Sequence, residues 1–167
     1  MLREQVCRTV CLVGLCLLPQ FFYGCAPAPA PVTLLHQAQA LGEGENRWTE
    51  ARELIKPYVY DHPEDVAGHY LLGLSYLHVP DDYEIQGRGE LLVAFRLFER
   101  LGDLGMLAET TTPDQFRMLF HQKTALTYMR SIRRLVMANV PASIIGAQME
   151  EALRHVELGL GFEPDNH

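Results

Sequence analysis

The best punctuated helix start in the chain, Thr112-Pro113-Asp114-Gln115, constrains the fold class more than any other feature. The threonine can cap, proline suits the first helical position because its φ is preset, and glutamine three residues after the cap can close a capping box. The run that follows predicts a helix over 113–139, and Asp61-His62-Pro63-Glu64 offers a similar box before a helix over 64–78. Helical spacing of apolar residues is plentiful elsewhere, whereas period-2 alternation and β-branched runs are scarce. The full reading is six helices, at 32–41, 47–60, 64–78, 88–101, 113–139 and 142–160, and so an all-α fold. Gly42, Gly102 and Gly161 each follow an apolar run and suit a left-handed cap. Pro57 falls inside the second helix and should kink it. Val79 to Gly89, with Pro80, Asp81, Asp82, Gly87 and Gly89, reads as a loop longer than a tight helical hairpin requires.

At 167 residues the chain can bury one sizeable core but not comfortably two. Its first 24 residues stand apart: Arg3 and Arg8 lie near the start, then Thr9 to Phe22 is nearly uncharged and rich in Val, Leu, Cys and Phe, the pattern of an export signal. That run is shorter than the roughly 20 residues of a membrane span, and Pro19-Gln20 interrupts it. Cys7, Cys11 and Cys16 all lie within the first 24 residues, so only Cys25 survives their removal and no disulfide framework is available. The end of the run, Phe22-Tyr23-Gly24-Cys25, resembles the lipobox of bacterial lipoproteins, although Phe22 and Tyr23 are bulkier than the usual Leu and small residue. The resemblance implies a signal peptide over 1–24, a lipidated Cys25 and membrane attachment through acyl chains such as palmitate. Because Ala26 and not Asp follows the cysteine, it also implies an outer-membrane address facing the periplasm. An ordinary secretory signal with an incidental cysteine, or a retained anchor, are the alternatives.

Ala26-Pro27-Ala28-Pro29-Ala30-Pro31 alternates alanine with proline, favours polyproline II geometry and reads as a linker over 25–31 between anchor and domain. Removing Arg3, Arg8 and Glu4 from the 14 basic and 21 acidic residues leaves 12 against 20, a balance of −8. That acidity argues against nucleic acid as a partner and against spreading on anionic lipid.

The remaining residues, 32–167, carry an internal repeat. Glu50-Ala51-Arg52-Glu53-Leu54-Ile55, continuing to Pro63, can be laid over Glu151-Ala152-Leu153-Arg154-His155-Val156, continuing to Pro164. Between them stands Leu72-Gly73-Leu74-Ser75-Tyr76. These motifs resemble the tetratricopeptide-repeat family: Leu72, Gly73 and Tyr76 match its first-helix signature. Ala51 with Ile55, Ala94 with Phe98 and Ala152 with Val156 match its second-helix pattern, and Pro63 and Pro164 match its closing proline. The resemblance implies antiparallel helix pairs stacked as a short right-handed solenoid of about three degenerate repeats, with Gly73 and the alanines letting helices approach closely. Pro57, the length of the fifth helix and the lack of a proline after Ala94 depart from the pattern. A non-repetitive helical bundle is the alternative.

Chemistry-bearing motifs are few. His62, Glu64, Asp65 and His69 are the densest candidate ligand group, but no His-Glu-x-x-His or paired Cys motif occurs, and the group reads as a turn and a helical face. Gly87-Arg88-Gly89 lacks the strand and further glycines of a nucleotide loop and reads as a turn, and Ser75 lies mid-helix with no nucleophile elbow. Neither metal, cofactor nor catalytic residue is expected. The family resemblance implies instead a groove lined by the first helix of each pair, here Tyr70, Leu74, Leu77 and His78, then Gln122, Met129, Arg130 and Arg133. Arg130, Arg133 and Arg134 form the one dense basic cluster, suited either to a carboxylate-bearing partner or to internal ion pairs. Leu153, Val156 and Leu160 on the last helix are expected to lack a cover unless the long fifth helix folds over them, which would admit a homo-oligomer. The expectation is an envelope adaptor that holds another protein or peptide; a membrane-tethered hydrolase or metal protein, and a passive structural lipoprotein, are the rivals.

Overall fold

A computed structural model describes residues 31–79 and 83–162, without the side chains of Pro31 and Val32. Six α-helices follow one another: α1 (Pro31–Gln39), α2 (Trp48–Asp61), α3 (Val66–His78), α4 (Glu84–Leu101), α5 (Pro113–Met137) and α6 (Ala142–Leu160). A π-helical turn, Ala40–Gly44, extends α1, and a 3-10 turn, Gly105–Glu109, precedes α5. No strand occurs among the described residues, and the fold is all-helical. The expected signal segment, Cys25, the proline-alanine linker up to Ala30, Pro80 to Asp82 and Pro164 lie outside the described residues.

Local chemistry accounts for the helix starts. Thr112 Oγ1 accepts from the Gln115 amide at 3.3 Å while Gln115 Oε1 accepts from the Thr112 amide at 2.9 Å, the reciprocal box that opens α5. At α3 the cap is Asp65, not Asp61: its carboxylate accepts from the Gly68 amide at 2.7 Å and from the Tyr58 hydroxyl at 2.8 Å, tying the start of α3 to α2. Of the three glycine stops, only Gly102 (φ 68°) is left-handed. Gly42 is needed for another reason: a side chain there would run into the Trp48 ring, with Cβ 2.5 Å from its nearest carbon. Pro57 lies within α2 on its exposed side, and the helix continues past it.

The loop expected over Val79–Gly89 is shorter than the sequence implies, because α4 begins at Glu84 and includes both Gly87 and Gly89. The reason is tertiary. A Cβ on Gly73 would stand 2.9 Å from Leu91 Cγ and 3.1 Å from the Gly87 carbonyl oxygen, and one on Gly87 would stand 3.1 Å from the Gly73 carbonyl oxygen. These two glycines are where α3 and α4 cross backbone against backbone, and the packing outweighs the poor helix propensity of Gly87.

The main core gathers α1 to α4, Leu104, Met106 and Leu107 around the 3-10 turn, and Phe116 and Phe120 from the first half of α5. Phe116 is fully buried, with its ring 5.4 Å from Tyr70 and 5.1 Å from Phe98, and so pins α5 to α3 and α4. α6 packs along α5, with Gly159 against Met118, His121 and Gln122 and His155 beside Tyr128, and α5 is its only extensive contact among the described residues.

Candidate functional site

The residues singled out for close packing fall into two groups. Ala51, Ile55, Leu72, Ala94 and Phe98 are each at most 3% exposed, and Gly73 and Ala152 are also buried. Tyr76 is half-buried beside Tyr83, with the Arg52 guanidinium over both rings. Val156 differs: it is 43% exposed, because no helix among the described residues lies outside α6 to cover it.

The residues assigned to one groove are divided among different surfaces. Tyr70, Leu74 and Leu77 belong to the core, at 6, 3 and 1% exposure, since almost the whole of α3 is enclosed by its neighbours. They reach the surface only as the floor of hollows. Tyr70, Leu74 and His78 line one of about 380 Å³ together with Glu43, Trp48, Leu119 and Lys123. Leu77 and His78 line a second of about 430 Å³ with Tyr76, Tyr83, Glu84, Arg130, Arg133 and Arg134. His78 lines both, so the two hollows adjoin at this residue along α3 and α5, and together they are called the trough below. Gln122 and Met129 are not in it; they lie on another hollow, with Val156 and Leu160 across from them.

The trough is basic. Lys123, Arg130, Arg133 and Arg134 stand on α5, against Glu43 and Glu84 opposite. Arg134 pairs with Glu84 at 3.0 Å, and Arg130 donates to the Leu77 carbonyl at the end of α3, so part of the cluster serves the fold. Arg133 is exposed and has no ion pair among the described residues. His78 reports the local field: stacked on Trp48 at 4.5 Å, its imidazole is held below its ordinary value by partial burial first and then by Lys123 and Arg130.

No family model matches this chain, and neither does any curated protein or solved structure.

The expected ligand group is dispersed into structural roles. His62 is exposed beside the Tyr58 ring, Glu64 pairs with Arg100 at 3.0 Å, and Asp65 caps α3. Both ring nitrogens of His69 face acceptors: Nδ1 lies 2.7 Å from Glu90 and Nε2 lies 3.0 Å from the Pro63 carbonyl oxygen. Burial lowers its proton affinity, but Glu90, the carbonyl and Asp65 outweigh burial and raise it above the ordinary value. Among the described residues, no three His, Cys, Asp or Glu side chains are grouped to hold a metal ion.

A second histidine arrangement was not foreseen. His121 on α5 and His155 on α6 meet with Nδ1 atoms 2.9 Å apart, so one ring must donate to the other and a single proton lies between them. Phe95, Phe120, Phe162 and Tyr128 surround the pair. Burial and Arg154 lower the affinity of His121, and burial, His121 and Arg154 bring His155 to about 4, with Glu151 opposing and Arg88 adding slightly. The two residues lie 34 positions apart, and no local pattern announces their encounter.

Proposed function

We propose that this protein is a lipid-anchored envelope adaptor that holds an acidic segment of another protein in the trough between α3 and α5. The observation that carries the reading is a row of four cations, Lys123, Arg130, Arg133 and Arg134, along one wall of a trough in a chain of net charge −7. In an acidic protein such a row is selective: it attracts carboxylates while the surrounding surface repels acidic partners that do not fit. Charge-assisted hydrogen bonds from guanidinium groups give the contact direction, and the apolar floor of Leu74, Leu77 and Val79 receives a flanking aliphatic side chain.

Three helix pairs, α1 with α2, α3 with α4 and α5 with α6, follow one another along the chain, which supports a tetratricopeptide-like stack of degenerate repeats. The π-turn after α1, α3 and α5 all contribute to the trough, as the first helices of such pairs would. Attachment rests on Gly24-Cys25 and the apolar segment before it; no helix among the described residues is long and apolar enough to cross a membrane.

A photo-crosslinker placed at His78 in the full-length protein, in intact cells, tests the reading. One acidic envelope protein should be trapped, and Lys123→Glu should reduce its capture at least tenfold; trapping that ignores this charge reversal sinks the proposal. Cys25→Ser should release the chain from the membrane fraction, and persistence there removes the anchor from the reading.

A further inference from the structure

The largest run of uncovered apolar side chains among the described residues lies on the hairpin of α5 and α6, beside the trough but outside it. On α6, Met149, Leu153, Val156 and Leu160 recur at spacings of four, three and four, the period of a coiled-coil seam. They are 49, 60, 43 and 58% exposed. Next to them on α5 stand Met129 and Val136, 58 and 54% exposed. Ala125, Leu126 and Gly159 floor the hollow between the two rows. At 1.5 Å per residue the 19 residues of α6 extend about 28 Å. The seam from Met149 to Leu160 occupies about 17 Å of that length.

The edges of this face indicate what covers it. Glu150 and Glu157 follow the seam on the side of α6 away from α5, and Arg133 stands on α5 at the ridge between the face and the trough. All three are exposed, and none forms an ion pair among the described residues. One edge is therefore acidic and the other basic. A two-fold axis parallel to the hairpin turns such a face onto itself, laying α6 of each copy over α5 of the other at equal height. The contact of His121 with His155, and of Tyr128 with the same ring, sets the register of the hairpin and brings Arg133 to within about a turn of the level of Glu150. The surface is thus complementary to itself in charge at its edges and apolar between them.

We propose that the chain dimerises through the α5–α6 face, forming a two-fold, four-helix layer in which Arg133 of each copy meets Glu150 of the other. Arg133 borders both the face and the trough, whereas Glu150 and Leu153 lie outside the trough, so substitutions at those two test dimerisation apart from capture of an acidic segment.

Two differently tagged versions of the full-length chain, co-expressed and purified in detergent, test this by co-purification. The wild-type pair should associate. Arg133→Glu with itself, and Glu150→Arg with itself, should each lose association at least tenfold, because like charges then meet twice per dimer. A mixture of the two variants should recover it, since every facing pair is again opposite in sign. Leu153→Glu should abolish association while the helical circular dichroism remains that of the wild type. Wild-type chains that do not associate, which is the result if a different helix or residues 1–30 occupy the face, overturn the proposal. Association that survives Leu153→Glu, or that the mixture of charge variants does not restore, overturns it as well.

Discussion

The two most apolar of the described helices have opposite fates. α3 buries eleven of its thirteen residues, whereas α6 buries three of nineteen, Ala152, His155 and Gly159. Composition explains part of the difference, since α3 carries no Asp, Glu, Lys or Arg and α6 carries Glu150, Glu151, Arg154 and Glu157; neighbours explain the rest. α3 is enclosed by α2, α4 and α1, and α6 has α5 alone. Burial also depends on neighbours, and a helix packed against one other helix keeps a face open. The histidines mirror this contrast: His69, held between carboxylate and carbonyl inside the enclosed half, has its proton affinity raised, and His121–His155, in the half with one layer of cover, has it lowered.

The sharpest way to break the comparison is at the residue that joins the two halves. Phe116→Ala removes the ring that pins α5 to α3 and α4 and should cost about 4 kcal/mol in urea unfolding. Gly73→Val comes next: it forces Leu91 and the Gly87 carbonyl away at the α3–α4 crossing and should cost about 3 kcal/mol, read from the same titration.

Acid should separate the halves without mutation. The unfolded His121 and His155 bind protons below about 6.5, the folded ones only at lower pH, near 4 for His155. Their contribution is therefore complete above 6.5 and declines as the pH falls toward 4, by roughly 2–3 kcal/mol for His155. His69, raised above its ordinary value, acts in the reverse sense: its contribution is present below 6.5 and is lost as the pH rises through the raised value. Hydrogen exchange at pH 5 compared with pH 7 should show faster opening, relative to intrinsic rates, in α6 and not in α3. The smallest effect belongs to Gly146→Ala on α6, where an added Cβ meets nothing within 4 Å; helix propensity alone should stabilise the chain by about 0.5–1 kcal/mol, measurable as a raised urea midpoint.

Helix positions were largely legible, because caps and apolar periodicity are local. The ranges 47–60, 113–139 and 142–160 differ from α2, α5 and α6 by no more than two residues at either end. Where the reading failed, distant residues decided. Gly87 signals a turn by propensity, yet lies in α4 because Gly73 faces it; Gly42 signals a left-handed cap, yet is fixed by Trp48. The 3-10 turn at Gly105–Glu109 has no periodicity to announce it, and its Met106 and Leu107 are held by the core. Tyr70, Leu74 and Leu77 could not be recognised as buried, since helical spacing fixes which residues share a face and not how many neighbours that face meets.

By itself the sequence determined the all-helical class, the order of the six helices and the cationic cluster on α5, because each depends on residues within a turn or two of one another. Only the tertiary structure decided that α3 is enclosed and α6 is not, that Lys123, Arg130 and Arg133 share a trough with His78, and that His121 meets His155. Those facts depend on the angles and distances at which helices pack, which are set by contacts such as Gly73 on Gly87 and Phe116 between Tyr70 and Phe98. No local pattern encodes those distances.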